Sequence, residues 1–302
     1  MKIGTENRAA LPIATGGGEY NAYTINPEIA EVVKGEDGNL YIEGYKNGST
    51  SLIVSDAANN YKRLEVVVYT TDELKLSHTE LDFVTPLGVS SSTSDCKVAL
   101  GNGGYSVESD NAKVEAIVDS ETGEITITAT SGKEVYSAVV TVKDCSGLSA
   151  SVKVNVTATF DAFTQNDIDM ILAKNESDWY IKSSQFSETR NIDLPRYERY
   201  GEWKDEAEDG THVFGWWEDD HESYGSRDYG GHVIFYPAGT ALNQEVAATY
   251  QFKYNRGNSY PIYKMEGKAK VLRDDDEMKI VIWWKVDMEN ECIDRGWIVR
   301  KK

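Results

Sequence analysis

The residues with the clearest potential for chemistry lie in one aromatic-rich segment, residues 213–236. His, Asp and Arg side chains are interleaved there with tryptophans, tyrosines and glycines. An aromatic ring exposed on a β surface can stack against the C–H face of a sugar ring, while polar neighbours bond the sugar hydroxyls. The segment is therefore a candidate glycan-binding platform. Its proposed members are Trp216, Trp217, Tyr224, Arg227 and Tyr229.

Ordinary packing is the competing interpretation of this segment. Successive side chains of a strand point to opposite faces of the sheet, so Trp216 and Trp217 cannot both face solvent if one face is buried. One of the two tryptophans would then belong to the core. The sequence alone leaves both interpretations open.

The residues that could bind a metal do not have the spacing of a typical metal site. His212, His221 and His232 are nine and eleven residues apart, whereas zinc sites commonly place two histidines within about five residues. The acidic run 274–277 lacks the alternating oxygen ligands and the central glycine of a calcium loop, and it is typical of a hairpin turn. We therefore expect neither a metal nor another cofactor.

Carboxylates near the tryptophans could in principle cleave a glycosidic bond, because a pair of Asp or Glu residues performs that reaction. The candidates are Glu218, Asp219 and Asp228. With 50 acidic residues, however, such clusters arise by chance. The chain also lacks the Gly-x-Ser-x-Gly, His-Glu-x-x-His and phosphate-binding glycine motifs. We expect a protein that is not an enzyme and has no catalytic residue.

Composition limits the partners. The 302 residues carry a formal net charge of −19, which disfavours nucleic acid and anionic membranes because both require clustered Lys and Arg. No apolar run is long enough to span a membrane, and the first residues do not resemble a signal peptide. Three scattered cysteines, Cys96, Cys145 and Cys292, predict free thiols instead of a disulfide framework.

The first half of the chain contains an internal repeat. Residues 16–33 align with residues 101–118, and residues 64–68 align with residues 152–156 at an offset of about 88. In both copies aliphatic residues alternate with polar ones, and polar turns separate the runs. This spacing is typical of a small antiparallel sandwich, so the repeat predicts two of them.

The order of motifs in each copy resembles the bacterial immunoglobulin-like domain, group two. These motifs are Gly-Gly-Tyr, a Ser/Asp/Asn segment, Val-x-Ala/Glu-x-Val, Gly-x-Ile-x-Ile, a Val-rich strand with an Asp-rich turn, and a last Val-x-Val strand. Residues 79–158 fit best and residues 10–70 fit less well, because the first copy lacks an obvious opening strand before Arg8. Its first sheet is then either incomplete or completed by residues 1–5. The resemblance implies spacer or adhesive modules of bacterial surface proteins, including lipoproteins of Gram-negative gut anaerobes.

The C-terminal part differs in composition, since all seven tryptophans lie at or beyond Trp179. Thr164 is a suitable N-cap for a helix over residues 165–175, and the runs that follow predict a larger antiparallel sandwich or barrel. Along residues 280–286 both faces are apolar, which predicts a strand covered on both sides. The predicted fold class is all-β. The predicted domains are residues 1–72, 73–158 and 159–302.

These features together predict a non-catalytic binding or adhesion protein of the bacterial cell surface. The Ig-like modules would space out a C-terminal ligand-binding domain, with an extracellular glycan preferred over a protein as the ligand. The alternatives are a purely structural spacer and, less favoured, a glycan-acting enzyme. Anchoring at the outer membrane would need a lipid anchor in an N-terminal segment absent from this sequence.

Overall fold

A computed structural model describes residues 1–3, 7–183, 187–191, 210–217, 231–253 and 262–302. These residues form β-strands almost throughout, with one helix, so the predicted all-β fold class is confirmed. The chain divides into two compact units. The first unit comprises Met1–Thr85 and Ser90–Thr157, and the second comprises Pro86–Val89 and Ala158–Lys302.

The first copy of the repeat is here called the first module (residues 1–72), and its described residues form six strands in two three-stranded sheets. One sheet has the order β1-β4-β3 and the other β2-β5-β6. A small apolar core lies between them, centred on Ala30, Ile42, Leu52 and Val68. The strands are β1 (Arg8–Ala10), β2 (Asn21–Thr24), β3 (Ala30–Lys34), β4 (Leu40–Gly44), β5 (Gly48–Ser55) and β6 (Tyr61–Val68).

The second copy, here called the second module (residues 73–157 of the first unit), has a fuller sandwich. A four-stranded sheet, β11-β14-β15-β8, faces a three-stranded sheet, β12-β13-β9, and β10 pairs separately with β7. The strands are β7 (Lys75–Leu76), β8 (Glu80–Pro86), β9 (Ser90–Thr93), β10 (Val98–Leu100), β11 (Ser106–Ser109), β12 (Val114–Val118), β13 (Ile125–Thr130), β14 (Tyr136–Lys143) and β15 (Ser149–Thr159).

Each module has its own buried cluster of aliphatic residues. The cluster of the second module includes Ile125, Val140 and Val154, and none of its members belongs to the cluster of the first module. Both clusters nevertheless lie in one compact unit. The predicted domain boundary near residue 72 therefore stays a prediction.

The described residues of the second unit form one antiparallel sheet of eight strands, curved as a half-barrel, in the order β17-β16-β23-β22-β21-β20-β19-β18. The sequence predicts either a larger sandwich or a barrel for this part of the chain, and the observed half-barrel is closer to the barrel. Among the described residues no helix is both long and apolar enough to cross a membrane. The elements are α1 (Gln165–Leu172), β16 (Asp178–Lys182), β17 (Ser187–Asn191), β18 (Thr211–Trp217), β19 (Gly231–Pro237), β20 (Glu245–Lys253), β21 (Ile262–Asp274), β22 (Met278–Asp287) and β23 (Cys292–Lys301).

Both faces of this sheet are covered at β22, as the sequence predicts. Val281 and Trp283 lie in a large aromatic cluster on one face. Ile280 and Ile282 lie on the other face, in a cluster that includes Ile171 of α1. The alternation of side chains along the strand thus supplies two cores from one sequence run.

Helix α1 begins with the predicted cap. The Thr164 hydroxyl accepts a hydrogen bond from the Asp167 amide at 3.1 Å, and the Asp167 carboxylate accepts one from the Thr164 amide at 2.9 Å. This reciprocal pair is a capping box. The helix ends at Leu172, three residues before the predicted end at 175.

Candidate functional site

The predicted glycan platform is only partly within the described residues. Trp216 and Trp217 are the last residues of β18, where they pair with His232 and Gly231 of β19. Their side chains lie outside the described residues, as do Tyr224, Arg227 and Tyr229 in full. The same holds for four further candidates, Glu218, Asp219, His221 and Asp228. The platform therefore stays a prediction.

Of the three histidines considered as metal ligands, His212 and His232 lie within the described residues, and both take part in packing. His232 is buried, stacks on Trp179 at 3.7 Å between ring centroids, and shares a hydrogen bond with the Tyr250 hydroxyl. Burial raises the pKa of Tyr250 well above its ordinary value. The ammonium of Lys279 donates to Nε2 of His212 at 2.6 Å. Both rings thus have protein partners.

The acidic run after β21 forms the predicted hairpin turn. The Asp275 carboxylate accepts hydrogen bonds from the amides of Glu277 and Met278, and Arg273 forms an ion pair with it. The Arg273 guanidinium and these amides lower the pKa of Asp275 to about 2. The carboxylate is used to close the turn, which agrees with a structural role.

One group of possible metal ligands was not singled out by the sequence. Asp287, Cys292 and Asp294 meet where β22 turns into β23, with one ligand atom from each within 4.8 Å of the others. Burial and the two carboxylates, Asp294 before Asp287, raise the pKa of the Cys292 thiol to about 11. The thiol is therefore protonated at neutral pH. Asp287 also accepts hydrogen bonds from two backbone amides in the turn, so its carboxylate has a structural use.

A different surface of the second unit has the properties of a binding site. A groove of about 620 Å³ runs beside α1 on the face of the sheet that the helix partly covers; we call it the Trp284 groove. Its apolar lining consists of Phe160, Ala162, Phe163, Ile168, Ile282, Trp284 and Val286. Its polar lining consists of Asp161, Glu245, Glu266, Lys268, Lys270 and Lys285.

Strand register places charged and aromatic side chains side by side in this groove. Lys268 of β21 lies directly opposite Trp284 of β22, and Lys270 lies opposite Ile282. On the other side of β21, Lys270 is opposite Glu245 of β20. Directly opposite residues share a face of the sheet, so these side chains form neighbouring rows across it.

A close approach of backbones forms part of the groove floor. A Cβ atom added to Gly267 would lie 2.2 Å from the carbonyl oxygen of Trp284. Only glycine therefore allows β21 and β22 to come this close beside the aromatic residue.

The segment before α1 forms the aromatic side of the groove. Phe163 meets Trp284 edge to face, with ring centroids 6.3 Å apart, and the Arg295 guanidinium lies 5.2 Å from the Phe163 ring centre. Arg295 also donates to the Ala162 carbonyl and, at 3.0 Å, to the Asp167 carboxylate. Burial alone would raise the pKa of Asp167, but the bonds from Thr164 and Arg295 lower it. Arg295 thus contacts both Phe163, on the aromatic side of the groove, and the first turn of α1.

The polar rim offers both donors and acceptors. The Lys268 ammonium lies 2.5 Å from a Glu245 carboxylate oxygen, and the Thr249 hydroxyl donates to Glu266 at 2.8 Å. Trp284 is half-buried and Phe160 is 46 % exposed, so aromatic surface remains open beside these polar groups. This combination suits a ligand with both apolar faces and hydroxyl groups.

This groove was not identified from the sequence. The apolar pattern of residues 280–286 assigned Trp284 to a covered side of the strand, and no local pattern brings the segment before α1 next to β21 and β22. The available signal was the alternation of lysine and glutamate along β21, at Lys264, Glu266, Lys268 and Lys270. Such a charged row on one face of an otherwise apolar strand indicates a face that is not fully covered.

Among known proteins, one family description matches part of this chain. The pilus formation protein N terminal region matches residues 18–69, which lie within the first module. The match covers far less than half of the chain. It supports a β module there and does not give the group-two Ig-like assignment. No curated protein matches the chain.

Several solved β proteins show a weak likeness. Domains 4 and 5 of the S-layer protein SbsC are 22 % identical, with 49 % of this chain and 82 % of that chain covered and a TM-score of 0.21. Protocadherin Gamma B7 extracellular cadherin domains 1–4 are 13 % identical, covering 94 % and 67 %, with a TM-score of 0.24. An endo-fucoidan hydrolase from glycoside hydrolase family 107 is 9 % identical, covering 82 % and 38 %, with a TM-score of 0.27. TM-scores this low describe no common arrangement of the whole chain, so these proteins assign no role to it.

Proposed function

We propose that this protein is a non-catalytic binding protein of a bacterial cell surface. In this proposal the Ig-like modules hold a C-terminal β domain that binds an extracellular glycan, and the Trp284 groove is the binding surface. The aromatic platform of Trp216, Trp217, Tyr224, Arg227 and Tyr229 would be a second contact surface.

The Trp284 groove is the observation that carries the proposal. Phe163 and Trp284 give aromatic surface, and Lys268, Lys270 and Glu266 give donors and acceptors around it. A pyranose needs both kinds of contact, because its C–H face is weakly polar and its rim carries hydroxyls. The lining has three lysines and three acidic residues, which favours an uncharged sugar over a strongly anionic one.

The partners of the acidic groups in the groove support binding instead of chemistry. Glu245 is ion-paired with Lys268, and Glu266 accepts a hydrogen bond from Thr249. Both carboxylates thus already have protein partners, whereas glycoside cleavage needs a pair of carboxyl groups directed at the scissile bond. Glycoside cleavage remains the second, weaker alternative.

A spacer role for the modules is supported by the link between them. The buried Asn102 side chain accepts from the amides of Thr70 and Thr71, both at 2.9 Å, and donates to the Thr71 carbonyl at 3.0 Å. It also donates to the Asp144 carboxylate at 2.8 Å. The short connection between the modules is thus bonded into the second module, which limits its freedom.

A glycan array probed with the full chain tests the proposal. We expect at least one neutral glycan to be retained, and we expect Trp284→Ala to weaken its binding by at least about tenfold, because the stacking surface is lost. Tyr61→Ala is the matched control, since Tyr61 is an exposed aromatic residue of the first module.

Three outcomes would decide among the alternatives. No retained glycan would favour the purely structural spacer. Loss of binding in Trp216→Ala or Trp217→Ala, with Trp284→Ala unaffected, would move the site to the predicted platform. Cleavage of a retained glycan during prolonged incubation would show that the protein is an enzyme and contradict the proposal.

A further inference from the structure

The Trp284 groove has two unlike sides. The side formed by β20 and β21 is polar, and its charged lining residues are Glu245, Glu266, Lys268 and Lys270. The other side is formed by β22, α1 and the segment before α1. Its apolar lining residues are Phe160, Ala162, Phe163, Ile168, Ile282, Trp284 and Val286, and its charged lining residues are Asp161 and Lys285.

The polar side keeps hydrogen-bonding capacity for a ligand. Lys268 is paired with Glu245, whereas Lys270 forms no ion pair with any residue that the structure describes. Glu266 accepts one hydrogen bond, from the Thr249 hydroxyl at 2.8 Å. An ammonium has three donor hydrogens and a carboxylate has about four acceptor sites, so Lys270 and Glu266 can both bond the hydroxyls of a sugar.

The other side offers a ligand little besides carbon. Phe163, Ile168 and Val286 are half-buried, and their side chains hold no polar atom. Val286 lies two residues after Trp284 on β22 and therefore shares its face of the sheet.

The polar groups on this side are already engaged or lie at its rim. The Ala162 carbonyl accepts a hydrogen bond from Arg295 at 2.5 Å. The Lys285 ammonium lies 3.3 Å from the Asp287 carboxylate, and Asp161 is exposed to solvent. A ligand group directed at Ile168 and Val286 consequently meets an apolar surface.

This asymmetry limits the sugars that the groove accepts. A sugar ring stacked on Trp284, with hydroxyls bonded to Lys270 and Glu266, has its opposite edge against Phe163, Ile168 and Val286. A hydroxyl at that edge would lose its hydrogen bonds to water without gaining a partner. A methyl group at the same place would be buried favourably.

We propose, on the basis of the glycan-binding function proposed above, that the Trp284 groove selects 6-deoxy sugars. In these sugars a methyl group replaces the hydroxymethyl group at C5, while the ring hydroxyls remain. They are uncharged, which agrees with a lining of three lysines and three acidic residues. An acetyl group also ends in a methyl, but it brings a carbonyl for which the apolar side has no side-chain donor next to Ile168 and Val286.

Matched pairs of free sugars test this selectivity. L-Fucose and L-galactose differ by the single oxygen at C6, and so do L-rhamnose and L-mannose. In ligand-observed NMR titrations of the full chain, we expect the 6-deoxy member of at least one pair to bind at least about tenfold more tightly than its partner. For N-acetylglucosamine and glucose, which differ by an acetamido group, we expect a difference below about threefold.

An isosteric substitution locates the selective surface. Val286→Thr keeps the shape and the strand preference of the residue but puts a hydroxyl on the apolar side. It should reduce the preference for the 6-deoxy member by at least about threefold, because the hydroxymethyl group gains a partner. Val139→Thr is the matched control, since Val139 is a 40 % exposed residue of β14 outside the groove. Amide exchange in β22 reports whether each variant is folded.

The outcomes separate this selectivity from the proposed function. Equal binding within both pairs, weakened by Trp284→Ala, would overturn the selectivity and leave glycan binding in place. A 6-deoxy preference that folded Val286→Thr retains in full, or a preference confined to the N-acetyl pair, would also overturn it. If none of these sugars binds, the selectivity fails, and an empty glycan array in addition would remove the glycan-binding function as well.

Discussion

The two modules of the first unit use the same turn but close their sheets differently. Asp56 accepts hydrogen bonds from the amides of Ala58, Asn60 and Gly17. Asp144, its counterpart in the repeat, accepts from the amides of Ser146, Leu148 and Asn102. The two carboxylates therefore hold equivalent loops by equivalent bonds.

The sheet edges next to these turns do not match. Val152 and Val154 of β15 are fully buried, whereas Leu64 and Val66 of β6 are not. The turn depends on residues a few positions apart in the chain, so each copy of the repeat carries it. Burial of the edge depends on a strand that comes from outside the repeated segment. In the second module this strand is β8, whereas in the described part of the first module residues 1–3 pair with the end of β6 alone.

The largest loss of stability is expected at Phe83, and it tests whether β8 closes the second module. Phe83→Ala removes a buried ring of β8 from the core of the second module and should lower the free energy of unfolding by about 3–5 kcal/mol. Urea denaturation of the full chain measures it. Phe83→Leu, which keeps most of the volume, should cost less than about 1.5 kcal/mol. An equal cost for both variants would show that the strand is not part of a packed core.

A smaller effect is expected at the link between the modules. Asn102→Ala leaves the amides of Thr70 and Thr71 without their acceptor and should cost about 1–3 kcal/mol. Ser146→Ala, which removes one partner of Asn102, should cost less. Amide exchange at Thr70 and Thr71 should accelerate in Asn102→Ala, and unchanged exchange there would contradict the assigned role.

At the edge of β6, truncation of the exposed Leu64 side chain should change the free energy of unfolding little. Leu64→Ala should cost less than about 1 kcal/mol, because the side chain is already 42 % exposed and leaves little cavity. Val152→Ala is the matched change in the closed module and should cost more. Equal costs, measured by urea denaturation, would mean that the edge of β6 is covered in solution.

The smallest expected effect concerns pH at Asp56. The Asn60 side chain and the Gly17 amide lower the pKa of Asp56 below its ordinary value of 3.8. A lowered folded-state pKa stabilises the protein above about pH 4, and this contribution disappears as pH falls through the folded pKa. Asp56→Asn should therefore lower the urea midpoint at about pH 7. The difference from wild type should shrink as pH falls below about 4, and a difference that is as large in acid as at about pH 7 would contradict the assignment.

Much of the second unit could be predicted because its strands are apolar runs or apolar–polar alternations that end at polar turns. The strand predicted at 262–272 is found at Ile262–Asp274, and the strand predicted at 278–287 is found with the same bounds. Strand β17 (Ser187–Asn191) was missed, since its sequence, SETRN, has no apolar alternation. Its pairing with β16 decides its conformation.

The Trp284 groove could not be predicted from local pattern. Phe163 and Trp284 are far apart in the chain, and Arg295 of β23 contacts the Phe163 ring and the Ala162 carbonyl. Such a site depends on the order of strands in the sheet, which periodicity does not encode. The aromatic platform was easier to propose because its residues are close together in sequence, but proximity along the chain is not evidence of a shared surface.

The sequence by itself determined the features that depend on near neighbours. These are the β content, the duplicated turns at Asp56 and Asp144, and the capping box of Thr164 and Asp167, because each requires only bonds or alternation within a few residues. The tertiary structure alone decided which surfaces stay open. Whether Leu64 or Trp284 meets solvent depends on which distant strand or helix lies over it, and burial is a property of the assembled sheets.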